Sequence, residues 1–380
     1  MQLKSKLPGV STTIFTVMSQ LAAQYKAINL SQGFPDYECS PQLVELVSKY
    51  MRSGYNQYAP MAGILSLRER LSEKQEKLHQ AKYAPDTEIT ITAGGTQAIF
   101  TSIACLIRPD DEVIIFEPAY DSYSPAVTLF GGLVKPVELS APDYKIDWLQ
   151  VAKLINDKTR MIILNSPNNP TGRTLAEEDM LELIRLTRDT SILILSDEVY
   201  EHLVYDGIKH LSVSHYPELW ERSFITASFG KLLHTTGWKV GYCLAPEWLM
   251  KEFRKVHQFE VFSVNSAVQY AISDFLQDER NYLEISDFFQ TKKDFFLNLM
   301  LETRFDMLPC QGSYFQSVQY SRISDEDDTA LAMRLVKEFG VACIPVSAFY
   351  SKGTDHQVLR FCFAKKQETL EKAVTYLAKV

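Results

Sequence analysis

Lys231 stands in the run Ser228-Phe229-Gly230-Lys231-Leu232-Leu233-His234-Thr235-Thr236-Gly237-Trp238-Lys239-Val240-Gly241, where hydroxyls, a second lysine and several glycines crowd together. A lysine held among small and apolar neighbours loses its proton more easily, and its free amine can form an imine with a carbonyl compound. A solvated surface lysine is the plain alternative. Other groups offer complementary chemistry. Asp197 ends the apolar run Ser191-Ile192-Leu193-Ile194-Leu195-Ser196, and a carboxylate in such surroundings needs a cation, a role that a protonated pyridine nitrogen would fill. Asp197 also reads as a helix cap. Gly94-Gly95-Thr96-Gln97 can bring backbone N–H groups to a phosphate at the start of a helix, with Ser228 and Lys239 adding a hydroxyl and a positive charge. As a lone motif it is equally a tight β-to-α turn. Tyr200 can reach a phenolic oxygen on the same side as Asp197 or simply pack in the core. Asn168-Asn169-Pro170-Thr171-Gly172 reads equally as a turn.

Such groups do chemistry together only if a frame gathers them. From Glu88 to Leu244, short β-branched runs alternate with helix-like stretches, predicting a mostly parallel sheet covered on both faces. The predicted strands are 88–92, 112–116, 133–138, 161–165, 192–196, 224–228 and 240–244, with helices at 97–107 and 177–187 between them. Past Asn265 the pattern changes to helices at 267–277, 287–301, 328–339 and 367–378 with strands at 314–318, 341–344 and 358–363. The expected fold is α/β. A large domain (41–280) carries the seven-stranded sheet, and a smaller α+β domain (281–380) is completed by the N-terminal segment (1–40), which shows little periodicity. In open parallel sheets ligands lie off the carboxyl ends of the strands. Four such ends carry the glycine loop, the asparagines, Asp197 with Tyr200, and Lys231.

Composition narrows the partners. The chain has 380 residues, 46% hydrophobic and 23% charged, with a net charge of −8. It therefore supports a large core but no basic face for nucleic acid or anionic membrane. The six cysteines are scattered, and His202, His210 and His215 suit no zinc spacing. Met1 to Val10 lacks an apolar stretch of the leader type, and no window is long enough to span a bilayer. The expectation is a metal-free cytoplasmic protein with reduced thiols.

A phosphate cradle, an imine-forming lysine and a carboxylate for a pyridinium ring are what pyridoxal phosphate requires of a protein. The chain resembles the fold-type I, aspartate-aminotransferase-like enzymes, within them the branch of kynurenine aminotransferases, glutamine transaminase K and bacterial methionine aminotransferases. The resemblance runs from Thr13-Ile14-Phe15-Thr16-Val17-Met18 and Asn29-Leu30-Ser31-Gln32-Gly33-Phe34-Pro35-Asp36 to Arg360-Phe361-Cys362-Phe363-Ala364-Lys365, and Ser228 to Gly241 is its most specific part. Asn56-Gln57-Tyr58-Ala59-Pro60-Met61, Lys255-Val256-His257-Gln258 and Phe262-Ser263-Val264-Asn265 look most like the bacterial methionine aminotransferases.

The resemblance implies a homodimer in which Lys231 attaches the cofactor covalently and later shuttles the substrate proton. Asp197 would hold the pyridinium proton, Asn169 and Tyr200 the ring oxygen, and Tyr120 the ring face. Gly95, Thr96, Gln97, Ser228 and Lys239 would hold the phosphate, joined by Tyr58 from the neighbouring subunit. Lys239 replaces the arginine of the aspartate-specific enzymes, as is common in this branch. Arg360 would hold the substrate carboxylate, assisted by Gly33 and Asn169. Phe15, Tyr37 and, from the other subunit, Phe262 would line the side-chain pocket. No second arginine stands in a motif position to pair with a dicarboxylate, which favours methionine, glutamine, kynurenine or aromatic amino acids as donors to a 2-oxo acid. β-Elimination from cysteine S-conjugates at the same site is a second reading. A non-catalytic sensor is a third, opposed by the acidic charge and the filled catalytic positions.

Overall fold

A computed structural model describes residues 4–380; Met1, Gln2 and Leu3, which open the 1–40 segment and the Met1 to Val10 stretch, lie outside the described residues. In chain order the strands are β1 (Ile28–Asn29), β2 (Ile89–Thr92), β3 (Glu112–Glu117), β4 (Leu133–Glu138), β5 (Thr159–Asn165), β6 (Leu193–Asp197), β7 (Ser223–Ser228) and β8 (Gly241–Leu244). They continue with β9 (Asp306–Met307), β10 (Phe315–Gln319), β11 (Val341–Ala342), β12 (Ile344–Pro345) and β13 (Val358–Cys362). Strands β2 to β8 form one seven-stranded sheet in the order β2-β8-β7-β6-β5-β3-β4. Only β8 runs antiparallel to its neighbours; the other pairs are parallel. This is the predicted mostly parallel sheet.

Strands β2, β3 and β6 are buried along their whole length, which is why they read as apolar runs and not as alternating ones. The pleat sends successive residues to opposite faces. Ile114, Ile162, Leu164, Ile194 and Ile225 enter one core. Val113, Ile115, Met161, Ile163, Leu195 and Phe224 enter the other, beneath helices Gly95–Ala104 and Glu247–Glu260.

The second sheet has the order β12-β13-β10-β9 and is antiparallel throughout. The predicted strand at 341–344 is divided: β11 pairs in parallel with β1 (Ile28 with Val341, Asn29 with Ala342), while β12 pairs with β13. Two partners lying in different sheets require the break. Pro345, lacking an N–H, falls in the edge strand β12, where the donor is not missed. The N-terminal region also holds a helix, Ile14–Tyr25, that its weak periodicity concealed. Only Met18 and Ala22, one turn apart, are buried on it, a stripe too narrow to stand out. The Thr13 side chain accepts from the Thr16 N–H at its start, and Lys26 closes it in the left-handed conformation. Among the described residues, no helix is long and apolar enough to cross a membrane.

Candidate active site

A cavity of about 300 Å³ lies off the carboxyl ends of β2, β5, β6 and β7, between the large sheet and the region where the two chain ends meet. The large sheet contributes Gly95, Thr96, Tyr120, Asn169, Asp197, Tyr200, Ser228, Lys231 and Lys239 to its wall; the chain ends contribute Phe15, Gly33 and Arg360. Parallel strands sharing one direction deliver their terminal residues to one rim, so residues far apart in sequence converge there.

Asp197 is the last residue of β6 and is buried. The Tyr123 hydroxyl donates to its Oδ2 at 2.6 Å and the Val199 N–H to its Oδ1 at 3.3 Å. Burial nevertheless pushes its carboxyl up to about 6, outweighing these donors and nearby Lys231. A carboxylate so placed is stabilised by any cation brought to it. Lys231 lies in the short helix Phe229–Leu232 that follows β7. Its Nζ donates to the Tyr314 hydroxyl oxygen at 2.7 Å and to the Gly33 carbonyl at 3.2 Å, and stands 5.6 Å from the Tyr200 ring centre. Burial brings the amine down to about 8. Arg360 and Lys239 act in the same direction, against Cys362 and Asp197.

One end of the cavity is built from backbone. Gly94 caps the helix Gly95–Ala104 with φ +85°, a conformation that favours glycine. The first N–H groups of that helix have no intrahelical partners, and Ser228 and Lys239 border them. The Lys239 amine lies against Gly94, 3.4 Å from where a Cβ would stand. At Gly241 a Cβ would come within 2.5 Å of the Ala227 carbonyl and 2.9 Å of the Gly95 nitrogen, so the start of β8 is pressed against this turn.

At the opposite end Arg360, on β13, is fully buried. It donates to Asn169 Oδ1 at 2.6 Å and to the Ser31 carbonyl at 2.7 Å, and lies 3.8 Å above the Phe315 ring. Its Nε has no partner among the described residues. Burial lowers its pKa to about 10, so the guanidinium stays charged at neutral pH. Asn169 is held in turn: its N–H donates to Asn165 Oδ1 at 2.8 Å, and Asn165 Nδ2 donates to the Asp197 carbonyl at 3.0 Å.

Four predicted residues stand apart from the cavity wall. The Gln97 side chain accepts from the Ala93 N–H and donates to Thr101, leaving only its backbone N–H near the helix start. Tyr37 packs edge-on against His234 and Phe288, its hydroxyl buried without a partner among the described residues. Tyr58 and Phe262 lie on the outer surface, 83% and 46% exposed, with ring centres 5.3 Å apart. Conversely, Tyr123, Tyr314 and Phe315 contact the key groups without having been singled out in the sequence. Tyr123 follows Tyr120 by three residues, the one local hint; Tyr314 and Phe315 simply open a strand.

This donor set fits pyridoxal phosphate. Asp197 suits a protonated ring nitrogen, Lys231 a carbonyl carbon, and the Gly94 to Gln97 turn with Lys239 a dianion; Arg360 remains for a separate carboxylate. Comparison with known proteins agrees. The family described as aminotransferase class I and II matches residues 25–377. Methionine aminotransferase of Escherichia coli (strain K12) is 46% identical over 97% of this chain and 95% of its own. Human kynurenine–oxoglutarate transaminase 1 is 30% identical over 96% of this chain and 95% of its own. A crystal structure of an Escherichia coli protein with a methionine aminotransferase function is 45% identical with a TM-score of 0.98, each chain covered completely. N-succinyldiaminopimelate aminotransferase of Mycobacterium tuberculosis superposes equally completely, with a TM-score of 0.95 at 30% identity. With the match and the superposition both running almost from end to end, the chain belongs to the class I and II aminotransferases, enzymes that work with pyridoxal phosphate.

Proposed function

We propose that this aminotransferase takes its amino group from methionine or an aromatic amino acid and passes it to a 2-oxo acid, as a homodimer in the cytoplasm. The observation that carries the donor class is the wall around Arg360. Phe315 lies beneath the guanidinium, and Phe15 and Phe349 stand 5.3 and 5.5 Å from it. Arg360 and Asn169 would seat the α-carboxylate while the rings receive an apolar side chain; a second carboxylate there would be buried without a cation. The similarity to a methionine aminotransferase supports the same reading.

Pyridoxal phosphate supplies an electron-poor ring that draws charge from the substrate's α-carbon. The chain's residues do the rest. Asp197 keeps the ring nitrogen protonated, Asn169 and Tyr200 orient the ring oxygen, and Tyr120 covers the ring face. Gly95, Thr96, Gln97, Ser228 and Lys239 anchor the phosphate, together with a Tyr58 from the other subunit. Lys231 Nζ takes the proton from the α-carbon and returns it when the amino group changes hands. Phe15 and Gly33 shape the substrate end, with Tyr37 behind them and a Phe262 from the other subunit.

The test is a panel of donors against one 2-oxo acid, compared by kcat/KM. Methionine and phenylalanine are expected to exceed aspartate by about a hundredfold or more; an aspartate value equal to theirs overturns the donor class. Lys231→Ala is expected to abolish turnover.

A further inference from the structure

Both acceptors that hold the Lys231 amine come from outside the large sheet. Its Nζ donates to Tyr314 Oη at 2.7 Å and to the Gly33 carbonyl at 3.2 Å. The Tyr314 hydroxyl itself donates to that same carbonyl. Tyr314 is fully buried, with its ring edge-on to Tyr200 and Phe315 and beside Phe289. A Cβ at Gly33 would stand 2.7 Å from Phe315 Cζ and 3.2 Å from the Tyr314 ring, so only glycine lets the carbonyl approach this closely.

The number of acceptors decides what the arrangement leaves open. A neutral primary amine has two N–H groups and one lone pair; an ammonium has three N–H groups and none. Tyr314 Oη and the Gly33 oxygen accept two protons, and the Tyr314 proton, engaged with Gly33, is not available to cap the nitrogen lone pair. These are the hydrogen-bond partners of Nζ among the described residues. The neutral amine is therefore satisfied, with its lone pair left for the cavity that Lys231 lines. The third proton of an ammonium has no acceptor. Condensation of an amine with an aldehyde uses that lone pair to form the C–N bond, and both amine protons leave with the carbonyl oxygen as water. The two protons concerned are those the dock holds.

We propose that Tyr314 and the Gly33 carbonyl form a dock that presents the Lys231 lone pair to the cavity, which makes Tyr314 a catalytic residue for cofactor capture and for the proton transfers of the same amine. The proposal rests on Lys231 being the reacting amine.

The experiment uses the cofactor-free protein as wild type, Tyr314→Phe and Gly33→Ala. Two quantities are measured: the pH dependence of Lys231 labelling by an amine-reactive reagent, and the rate at which added pyridoxal phosphate becomes covalently attached, trapped by borohydride and read by peptide mass. Tyr314→Phe keeps the packed ring and removes an acceptor that favours the ammonium more than the amine, so Lys231 should titrate lower than in wild type. Capture should nevertheless slow by roughly tenfold, because the larger fraction of free amine is no longer aimed. Gly33→Ala, which displaces the carbonyl, should slow capture likewise. Capture that keeps pace with the free-amine fraction in both variants overturns the dock. A Lys231→Ala arm separates the two ideas: attachment that persists there removes Lys231 as the reacting amine, whatever Tyr314 does.

Discussion

Asp197 is a carboxylate that the protein without cofactor would sooner protonate. Its pKa, about 6, lies above the unfolded value near 3.9. For a raised acid the folded state binds the proton more tightly, so its favourable contribution is complete below pH ~3.9 and disappears as the pH rises through about 6. Above that, the ionised group opposes folding until a cation joins it. Asp197→Asn removes the opposition. The cofactor-free variant is expected to be more stable than wild type at pH 7 to 8, by on the order of 2 kcal/mol. The loaded variant should lose about 10²-fold in kcat, since a neutral amide cannot keep the ring nitrogen protonated. Denaturation with and without cofactor, beside steady-state rates, checks both; a variant less stable in both states would contradict the account. Asp197 and Lys231 were legible because each is a charge set in apolar sequence. Tyr123 and Tyr314 were not, since a phenol among hydrophobic residues is ordinary until its partner is known, and those partners lie 74 and 83 residues away.

The segment after β6 has two working faces. Asp197 and Tyr200 line the cavity, while Glu198 is buried away from it and the Glu201 side chain is largely covered. Glu201 accepts from Lys74 at 2.6 Å and from the Tyr242 hydroxyl at 2.6 Å; Glu198 meets His210 at 2.8 Å and accepts from Ser196 at 2.8 Å. Burial pushes the Glu201 carboxyl up, but the charge on Lys74 leads the groups that outweigh it and hold it well below the usual range. Its stabilisation is therefore complete above pH ~4.3 and lost as the pH falls toward its folded value. Lys74→Met strands this carboxylate and should cost about 3–5 kcal/mol, read as a lower denaturant midpoint; adding Glu201→Leu should restore much of the loss. Equal midpoints for Lys74→Met and wild type would show the pair to be dispensable. His202, driven down to about 3 chiefly by burial and Lys74, stays neutral when folded, so stability also declines as the pH drops below ~6.5. The strands of the large sheet were legible from their apolar runs. The division at Cys343 was not, because it depends on which sheets receive the two halves.

At the scale of the whole molecule, Tyr58 and Phe262 leave a large aromatic pair on the surface, the composition of a subunit contact. If Tyr58 serves the neighbouring site, Tyr58→Phe should weaken cofactor binding by about tenfold through loss of one hydrogen bond to a charged group. Mixing that variant with inactive Lys231→Ala should yield more activity than the sum of the two alone. In mixed dimers one site holds both Lys231 and an intact Tyr58; purely additive activity would place Tyr58 in its own subunit's site. Neither residue's destination was legible in one chain's spacing, and only the resemblance suggested one. The pairing of β1 with β11 bears on how the protein is made. Ile28 and Asn29 leave the ribosome well before their neighbours Val341 and Ala342, which follow 313 residues later. The large sheet has every strand in hand long before then and can consolidate first. Phe15 and Gly33 must wait beside it for Arg360, so their end of the cavity closes long after the sheet end, and a nascent chain stalled before Tyr314 holds Lys231 without the dock that aims it.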